Sequence, residues 1–242
     1  MTFFTVLPIS LPDSSLEDAA RKAYLLPLVG LLTGLPGATL LLLAYAMPPG
    51  VAAALALGAA LLAAGLHHTD GVMDVGDALM VRGSPERRRE VLKDARVGAG
   101  AIGTLFIVYA PPLAALAALA DASPIGAAVA LLAGEVAARS AMLLVLAFGS
   151  AADARSSSTH FVRSLKRGNR RAAALVLALT LTPLVALPLG PAALIATLAV
   201  PGTAPFALAL AKKAFGGITG DLVGATGELA RAVLLVTLSA MV

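Results

Sequence analysis

The sequence predicts an all-α integral membrane protein, a polytopic helical bundle with about seven transmembrane helices. Hydrophobic residues make up 59% of the 242 residues and charged residues only 13%, and the mean hydropathy is +0.90. The apolar residues fall into long runs separated by short turns rich in proline and glycine. This composition and pattern are typical of polytopic membrane proteins and not of soluble domains.

The apolar runs are interpreted as spans of one membrane domain that covers residues 1–242. The predicted spans are residues 23–47, 51–66, 97–120, 125–148, 172–187, 192–211 and 222–242. A helix needs about 20 residues to cross a bilayer, so the second run is short. We expect it to continue through His67 and His68, which would place the following polar stretch at the membrane surface. A bundle of six spans is the alternative.

The distribution of positive charge predicts the orientation in the membrane. Of the eighteen Lys and Arg residues, only Arg139 and Arg231 fall inside predicted spans. The others cluster in the amino-terminal stretch and in the loops 69–96, 150–171 and 212–221, whereas the opposite turns contain none. Because loops rich in Lys and Arg stay in the cytoplasm, we expect a cell-membrane protein whose amino terminus and active site are cytoplasmic.

Composition also limits the kinds of partner and site. The chain contains no cysteine, which excludes disulfides and thiolate metal sites. The net charge is +4, but the basic residues lie in short loops between spans, so nucleic acid is not an expected partner. The lipid bilayer is an expected partner, and the sequence leaves a homo-oligomer open.

The most polar stretch, residues 65–103, is predicted to be the catalytic cytoplasmic segment. Six of the fourteen acidic residues and six basic residues lie there, between two apolar runs. Asp70, Asp74 and Asp77 follow one another with spacing i, i+4, i+7. On a helix with about 3.6 residues per turn, this spacing puts the three carboxylates on one face.

Three like charges on one face repel one another, and a divalent cation removes that repulsion. Oxygen ligands alone suit a hard ion such as Mg²⁺, which usually keeps coordination sites open for substrate phosphates. Asp70, Asp74 and Asp77 are therefore candidate catalytic residues and ligands of a Mg²⁺ cofactor in phosphoryl transfer. The alternative is a solvated acidic helix face. We favour the metal site because ionisable clusters at a membrane boundary are costly and usually functional.

Other polar residues are candidates for substrate contacts. Arg82, Lys93 and Arg96 are predicted to neutralise a pyrophosphate. Asp94 is a candidate substrate-binding residue, as an extra metal ligand or an orienting group, and the alternative is a structural ion pair with a nearby arginine. Asp221 follows a glycine-rich turn whose backbone N–H groups suit a phosphate. For His68, two readings stay open on the residues alone: an interfacial histidine, or a catalytic group that contacts a phosphate or deprotonates the attacking hydroxyl.

The same residues resemble the signature of the cobalamin synthase family, the adenosylcobinamide-GDP ribazoletransferases. HTDGVMDVGDAL, followed by VLKDARVGAGAIG, is similar to the family's His-x-Asp-Gly-x-x-Asp-x-x-Asp-x-Leu run and its Lys-Asp-x-Arg-x-Gly element. LPLVGLLTG at residues 26–34 and FGGITGDLVGATGEL at residues 215–229 resemble, more weakly, the family's first span and last cytoplasmic turn. The resemblance favours the catalytic interpretation of His68.

The resemblance implies a membrane transferase that joins adenosylcobinamide-GDP to α-ribazole or α-ribazole 5′-phosphate. The expected products are adenosylcobalamin or its 5′-phosphate, together with GMP. In such a reaction Asp70, Asp74 and Asp77 would hold Mg²⁺ on the GDP pyrophosphate, and a ribazole 5′-hydroxyl would attack the phosphorus next to the cobinamide. The corrinoid comes from the resemblance alone, whereas the residue chemistry indicates metal-assisted transfer at a pyrophosphate.

Three other functions were considered. A CDP-alcohol phosphotransferase usually carries Asp-Gly-x-x-Ala-Arg before its later aspartates, and Val72-Met73-Asp74-Val75 offers no such arginine. A prenyltransferase tends to have two separate Asp-rich motifs, and this sequence has one. A transporter would use the intramembrane charges Glu135, Arg139, Glu228 and Arg231 for coupling, but the inverted repeats that many transporters show are not visible.

Overall fold

The computed structural model describes residues 16–154 and 156–241. In these residues the secondary structure is helical except for one isolated β-bridge, between Ala151 and Ile218. The α-helices are α1 (Leu16–Arg21), α2 (Leu26–Leu41), α3 (Pro49–Ala64), α4 (His67–Met80), α5 (Pro85–Val91), α6 (Ala99–Ala122), α7 (Pro124–Phe148), α8 (Ser157–Leu165), α9 (Arg170–Ala186), α10 (Pro191–Thr197), α11 (Val200–Leu210) and α12 (Gly220–Ser239).

Within the described residues, six helical segments are long and apolar enough to cross a membrane. They are Ala23–Tyr45, Ala99–Ala122, Pro124–Phe148, Arg170–Leu189, Pro191–Phe215 and Gly220–Ser239. A seventh results if the bent pair α3 and α4 counts as one span. The predicted polytopic helical bundle is therefore confirmed, and each of the six segments overlaps one predicted span.

The second span was expected to continue through His67 and His68, and the structure bends sharply just before them. Helix α3 ends at Ala64, and α4 leaves it at an angle of 93°. Gly65 and Leu66 both adopt the left-handed conformation, with φ of 85° and 59°. A left-handed residue ends an α-helix, and a bulky residue such as leucine adopts that conformation rarely. This break turns α4 away from the axis of α3.

Helix α7 is the centre of the bundle and is surrounded by α2, α9, α11 and α12. Small residues permit this close packing, as is common between membrane helices. A Cβ atom at Gly30 of α2 would lie 2.5 Å from the carbonyl oxygen of Glu135 in α7, so only glycine fits there. Helix α4 packs against α6 and α12. We call the end of the bundle that carries α4, α5 and the first turns of α6 and α12 the polar end.

Candidate active site

The acidic triplet lies on α4, as its spacing predicts, while other positions of the helix pack inward. Gly71, Val72 and Val75 are buried, whereas Asp70 is exposed and Asp74 is partly exposed. Asp70, Asp74 and Asp77 all line a cleft of about 330 Å³ at the polar end, which we call the acidic cleft. One helix face therefore presents the three predicted carboxylates to the same space.

The loop between α5 and α6 forms the other wall of the acidic cleft. Lys93, Asp94 and Arg96 line it, as expected for candidate substrate-binding residues, together with Leu92. Arg82 is exposed in the loop after α4 and is absent from the lining of this cleft. Three of the four loop residues predicted to bind substrate thus meet the aspartates of α4.

Asp94 and Arg96 hold each other. The Asp94 carboxylate accepts hydrogen bonds from the backbone N–H of Arg96, at 3.1 Å, and from its guanidinium, at 2.7 Å. These bonds lower the pKa of Asp94 to about 2. The structural ion pair that the sequence left open for Asp94 is therefore formed, within the loop itself.

Asp77 has a structural task that the sequence does not reveal. Its two carboxylate oxygens accept hydrogen bonds from the backbone N–H groups of Gly98, at 2.7 Å, and Ala101, at 2.8 Å. These groups belong to the first turn of α6, where a helix needs acceptors for its free N–H groups. Asp77 therefore caps α6. In the described residues, neither Asp70 nor Asp74 caps a helix.

Asp221, at the start of α12, faces the first half of α4. A Cβ atom at Gly71 would lie 2.7 Å from the carbonyl oxygen of Asp221, so this glycine lets α4 and α12 cross closely.

The carboxyl of Asp74 is affected by this crossing. Asp74 lies on α4, outside the six spanning segments. Partial burial, followed by the repulsion of Asp70, Asp221 and Asp77, raises the pKa of its carboxyl to about 6. The acidic cluster thus draws on two helices.

A second cleft, of about 480 Å³, adjoins the first. It is lined by Arg89, Leu92, Lys93, Ala152, Asp153, Ser156, Ile218, Thr219, Gly220 and Asp221. Leu92 and Lys93 line both clefts, so the two are neighbours along the loop before α6. We call the larger one the second cleft; Arg89 and Lys93 face two acidic residues in its lining, Asp153 and Asp221.

Arg89 is a site residue that sequence reasoning missed. In the sequence, Arg87, Arg88 and Arg89 look like one solvated helix face. In the structure, Arg89 alone reaches the carbonyl oxygen of Phe215, in the π-helical turn Ala211–Phe215 before α12, at 2.5 Å. It also pairs with Glu86 at 3.1 Å. Only the fold could single it out, because its partner lies 126 residues away in the chain.

His68 lies away from both clefts. It is buried in the first turn of α4, and its Nδ1 lies 3.9 Å from Oε1 of Glu228. Its ring also packs against Gly224 of α12. In this arrangement the imidazole faces the bundle interior and does not line the acidic cleft, where a phosphate would bind. Its catalytic role remains a prediction.

The donor set of the acidic cleft fits a hard divalent cation. Carboxylate oxygens are its ligands of choice, and the pKa of Asp74 is raised by partial burial and by the neighbouring carboxylates, a penalty that a bound cation would relieve. Across residues 16–154 and 156–241, no group of three or more His, Asp or Glu side chains is placed to hold a metal ion by itself. An ion would therefore complete its shell with water or substrate oxygens, as Mg²⁺ usually does.

The intramembrane charges form one network rather than two separate pairs. Glu135 accepts hydrogen bonds from Arg139, at 2.9 Å, and from Arg231 of α12, at 2.7 Å. Arg231 also binds Glu228, and Thr33 of α2 donates to Glu135 at 3.1 Å. All five side chains are buried. Two carboxylates thus balance two guanidiniums inside the bundle, where an unpaired charge is costly.

Comparison with known proteins gives consistent matches. A family model described as cobalamin-5-phosphate synthase matches residues 1–239. An adenosylcobinamide-GDP ribazoletransferase of Methanocella arvoryzae is 31% identical over an aligned length of 257 residues, which covers 100% of this chain and 94% of the relative. No solved structure matches the chain.

Two further relatives match over part of the chain. The protein named adenosylcobinamide-GDP ribazoletransferase in Saccharolobus islandicus is 37% identical over 116 residues, 48% of this chain and 46% of the relative. The protein of the same name in Sulfolobus acidocaldarius is 42% identical over 110 residues, 45% of this chain and 42% of the relative.

Proposed function

The chain belongs to the cobalamin-5-phosphate synthase family, and from this membership we propose that it is a membrane transferase that joins adenosylcobinamide-GDP to α-ribazole or α-ribazole 5′-phosphate. The products are adenosylcobalamin or its 5′-phosphate, and GMP. The observation that supports this chemistry is the acidic cleft, where aspartates of α4 face a loop that carries Lys93 and Arg96.

In the proposed reaction a ribose hydroxyl of the α-ribazole attacks the phosphorus that carries the cobinamide. A new phosphorus–oxygen bond forms, and the bond from that phosphorus to the bridging oxygen of the pyrophosphate breaks. The bridging oxygen leaves with the electron pair as part of GMP, and the hydroxyl proton passes to a base. Positioning and charge stabilisation supply most of the rate in such transfers.

The attacking hydroxyl differs from the one expected at first. The family's description names a product with a phosphate at position 5. When the 5′ oxygen of the ribazole already carries a phosphate, it cannot form the new phosphodiester. We therefore assign the attack to another ribose hydroxyl, and the expectation of a 5′-hydroxyl nucleophile is replaced.

Asp70 and Asp74 are the proposed ligands of a Mg²⁺ ion on the pyrophosphate. Asp221 adds negative charge from α12, and Asp77 combines a place in the cleft with its cap on α6. Bound Mg²⁺ would polarise the pyrophosphate and neutralise the charge on the leaving GMP. The protein residues hold the ion and orient the two substrates in the adjoining clefts.

Lys93 is the residue best placed to act on both substrates, because it lines both clefts. An ammonium at this position neutralises phosphate oxygens on either side of the transferred phosphorus. Arg96 adds positive charge in the acidic cleft, and Arg89 in the second cleft. This arrangement suits a reaction at an anionic pyrophosphate, whether or not the ribazole also carries a phosphate.

We propose that the polar end faces the cytoplasm of the cell. Lys and Arg are concentrated in the loops of this end, and the turns of the opposite end contain none, which is the bias that cytoplasmic loops show. Both clefts would then be open to soluble nucleotides.

The experiment that tests the proposed function is the transfer reaction with purified protein in detergent or nanodiscs. GMP release from adenosylcobinamide-GDP is measured with α-ribazole, with α-ribazole 5′-phosphate, and with neither, each in Mg²⁺ and in EDTA. We expect release that needs a ribazole and Mg²⁺ together, with a corrinoid product of matching mass. No release under any condition would overturn the proposed function.

A further inference from the structure

The buried ionic network does not end inside the bundle but reaches the helix that carries the acidic residues. Tyr109 of α6 donates a hydrogen bond from its hydroxyl to Oε2 of Glu228, at 2.9 Å. The same hydroxyl lies 2.9 Å from Oγ1 of Thr69. Because the single hydroxyl proton of Tyr109 goes to the carboxylate, Thr69 must be the donor in the second bond.

Thr69 directly precedes Asp70 in the first turn of α4. This turn begins after two left-handed residues, and no side chain caps it. In the part of the chain that the structure describes, no other side-chain hydrogen bond joins this turn to a neighbouring helix; His68 stays 3.9 Å from Glu228. The last turn of α4, by contrast, is fixed to α6 through Asp77.

From this geometry we infer that Tyr109 is a positioning residue: its hydroxyl couples the buried network to the first turn of α4 and so sets Asp70 and Asp74 opposite Asp221. The inference rests on the proposed function for the identity of the site. Tyr109 itself lines neither cleft, so it acts through Thr69 and not on the substrate.

The network is suited to this task because it is rigid. Glu228 is held by Arg231 of its own helix, and Arg231 is held in turn by Glu135 of the central helix α7. The guanidinium of Arg231 also lies over the ring of Tyr109, 5.6 Å from its centroid. A phenol clamped between a guanidinium and a carboxylate has little freedom to move, so its hydroxyl is a fixed point for Thr69.

The test is the affinity of the acidic cleft for Mn²⁺, a spectroscopic substitute for Mg²⁺, measured by electron paramagnetic resonance on purified protein. Tyr109→Phe removes the hydroxyl and keeps the ring under Arg231. We expect the dissociation constant for Mn²⁺ to rise about tenfold, the equivalent of losing one or two hydrogen bonds. Thr69→Val should cause the same rise, Thr69→Ser should restore binding, and the double variant should be no weaker than either single variant.

A matched control removes a buried hydroxyl elsewhere. Thr203→Val deletes a hydroxyl in α11 that donates only to the carbonyl of Val200, and we expect its Mn²⁺ affinity to equal that of the wild type. Wild-type affinity in folded Tyr109→Phe, an equal loss in Thr203→Val, or no Mn²⁺ binding by the wild type would each overturn the positioning role. A wild type that binds Mn²⁺ but transfers nothing would overturn the proposed function alone, because the affinities still report the positioning.

Discussion

The acidic cleft and the buried ionic network use the same kinds of side chain in opposite states. In the network, Glu135 and Glu228 are each bonded to an arginine and are almost wholly inaccessible, 0% and 1% exposed. In the cleft, Asp70 and Asp74 are at least partly exposed, and partial burial together with the neighbouring carboxylates raises the pKa of Asp74. The carboxylates of the network are paired with arginines of the protein, whereas those of the cleft gain from binding a cation.

This difference separates a structural role from a ligand-binding role better than charge density does. Four intramembrane charges are as conspicuous in the sequence as three aspartates on one helix face. Pairing decides between them, because a buried charge paired with an opposite charge is already neutralised, whereas a cluster of like charges gains from binding a cation. The pairing of Glu135 with Arg139 and Arg231 gives these intramembrane charges a structural role, which weakens the sequence argument for a transporter.

The largest expected effect comes from Asp74→Asn in the acidic cleft. We expect GMP release to fall at least ~1000-fold, since a metal ion contributes several kcal/mol to such a transfer. The thermal unfolding midpoint should stay the same or rise, because one repelling charge is removed. The matched control is Asp121→Asn, which changes an exposed aspartate at the opposite end of the bundle. Full turnover by Asp74→Asn would remove this residue from the metal site.

For Glu135→Gln in the network, we expect a loss of stability, in contrast to the unchanged or higher stability expected for Asp74→Asn. This change leaves Arg139 and Arg231 without their shared partner, and breaking a buried ion pair costs about 3–5 kcal/mol of unfolding free energy. Thermal unfolding in detergent measures the loss. Glu90→Gln, which breaks the exposed pair with Arg87, should cost no more than ~1 kcal/mol. Equal stability of the two variants would contradict a structural role for the network.

The contact between the two halves of the cluster is tested by Gly71→Ala. The added methyl would lie 2.7 Å from the carbonyl oxygen of Asp221, so α4 and α12 must move apart. We expect a loss of about 1–3 kcal/mol in stability, together with a higher Mg²⁺ concentration for half-maximal turnover. Gly58→Ala is the control, since no atom lies within 4 Å of a Cβ at that position in α3. Unchanged stability and an unchanged Mg²⁺ requirement in Gly71→Ala would show that the close crossing is not needed.

The smallest effect is expected for Asp77→Asn. An amide oxygen still accepts one backbone N–H of α6, but the charge and the second acceptor are lost. A helix cap contributes about 1 kcal/mol, so stability should fall by roughly that amount, and GMP release should fall less than in Asp74→Asn. Denaturation and turnover of the two variants, measured side by side, check the order. A greater loss of turnover in Asp77→Asn would make Asp77 the principal metal ligand.

The spans and the acidic face were predictable because each depends on local patterns. A run of about 20 apolar residues and a spacing of i, i+4, i+7 are read directly from the chain. The break at Gly65 and Leu66 was not predictable, because the apolar run continues to Leu66 and leucine rarely adopts a positive φ. As a result the sequence suggests that the second span continues through the histidines, whereas in the structure the chain bends between α3 and α4.

The parts of the site that were missed depend on contacts between distant segments. Asp221 was expected to bind substrate, but its position beside the α4 aspartates follows from the crossing of two helices 150 residues apart. Arg89 could not be told from Arg87 and Arg88, because its bond to Phe215 requires the folded chain. The link from Tyr109 to Thr69 likewise spans 40 residues, with no local pattern to announce it.

In the proposed site, the Mg²⁺ ion bound by the α4 aspartates also interacts with the charge of Asp221 on α12. The most direct test of this claim is a Mg²⁺ titration of GMP release, with wild type and Asp221→Asn measured in parallel. We expect the wild type to be inactive in EDTA and saturable by Mg²⁺, and the variant to need about tenfold more Mg²⁺ or higher, as expected when a charged ligand or close neighbour of the ion is lost. Release in EDTA, or an unchanged Mg²⁺ requirement in folded Asp221→Asn, would contradict a metal site built from α4 and α12.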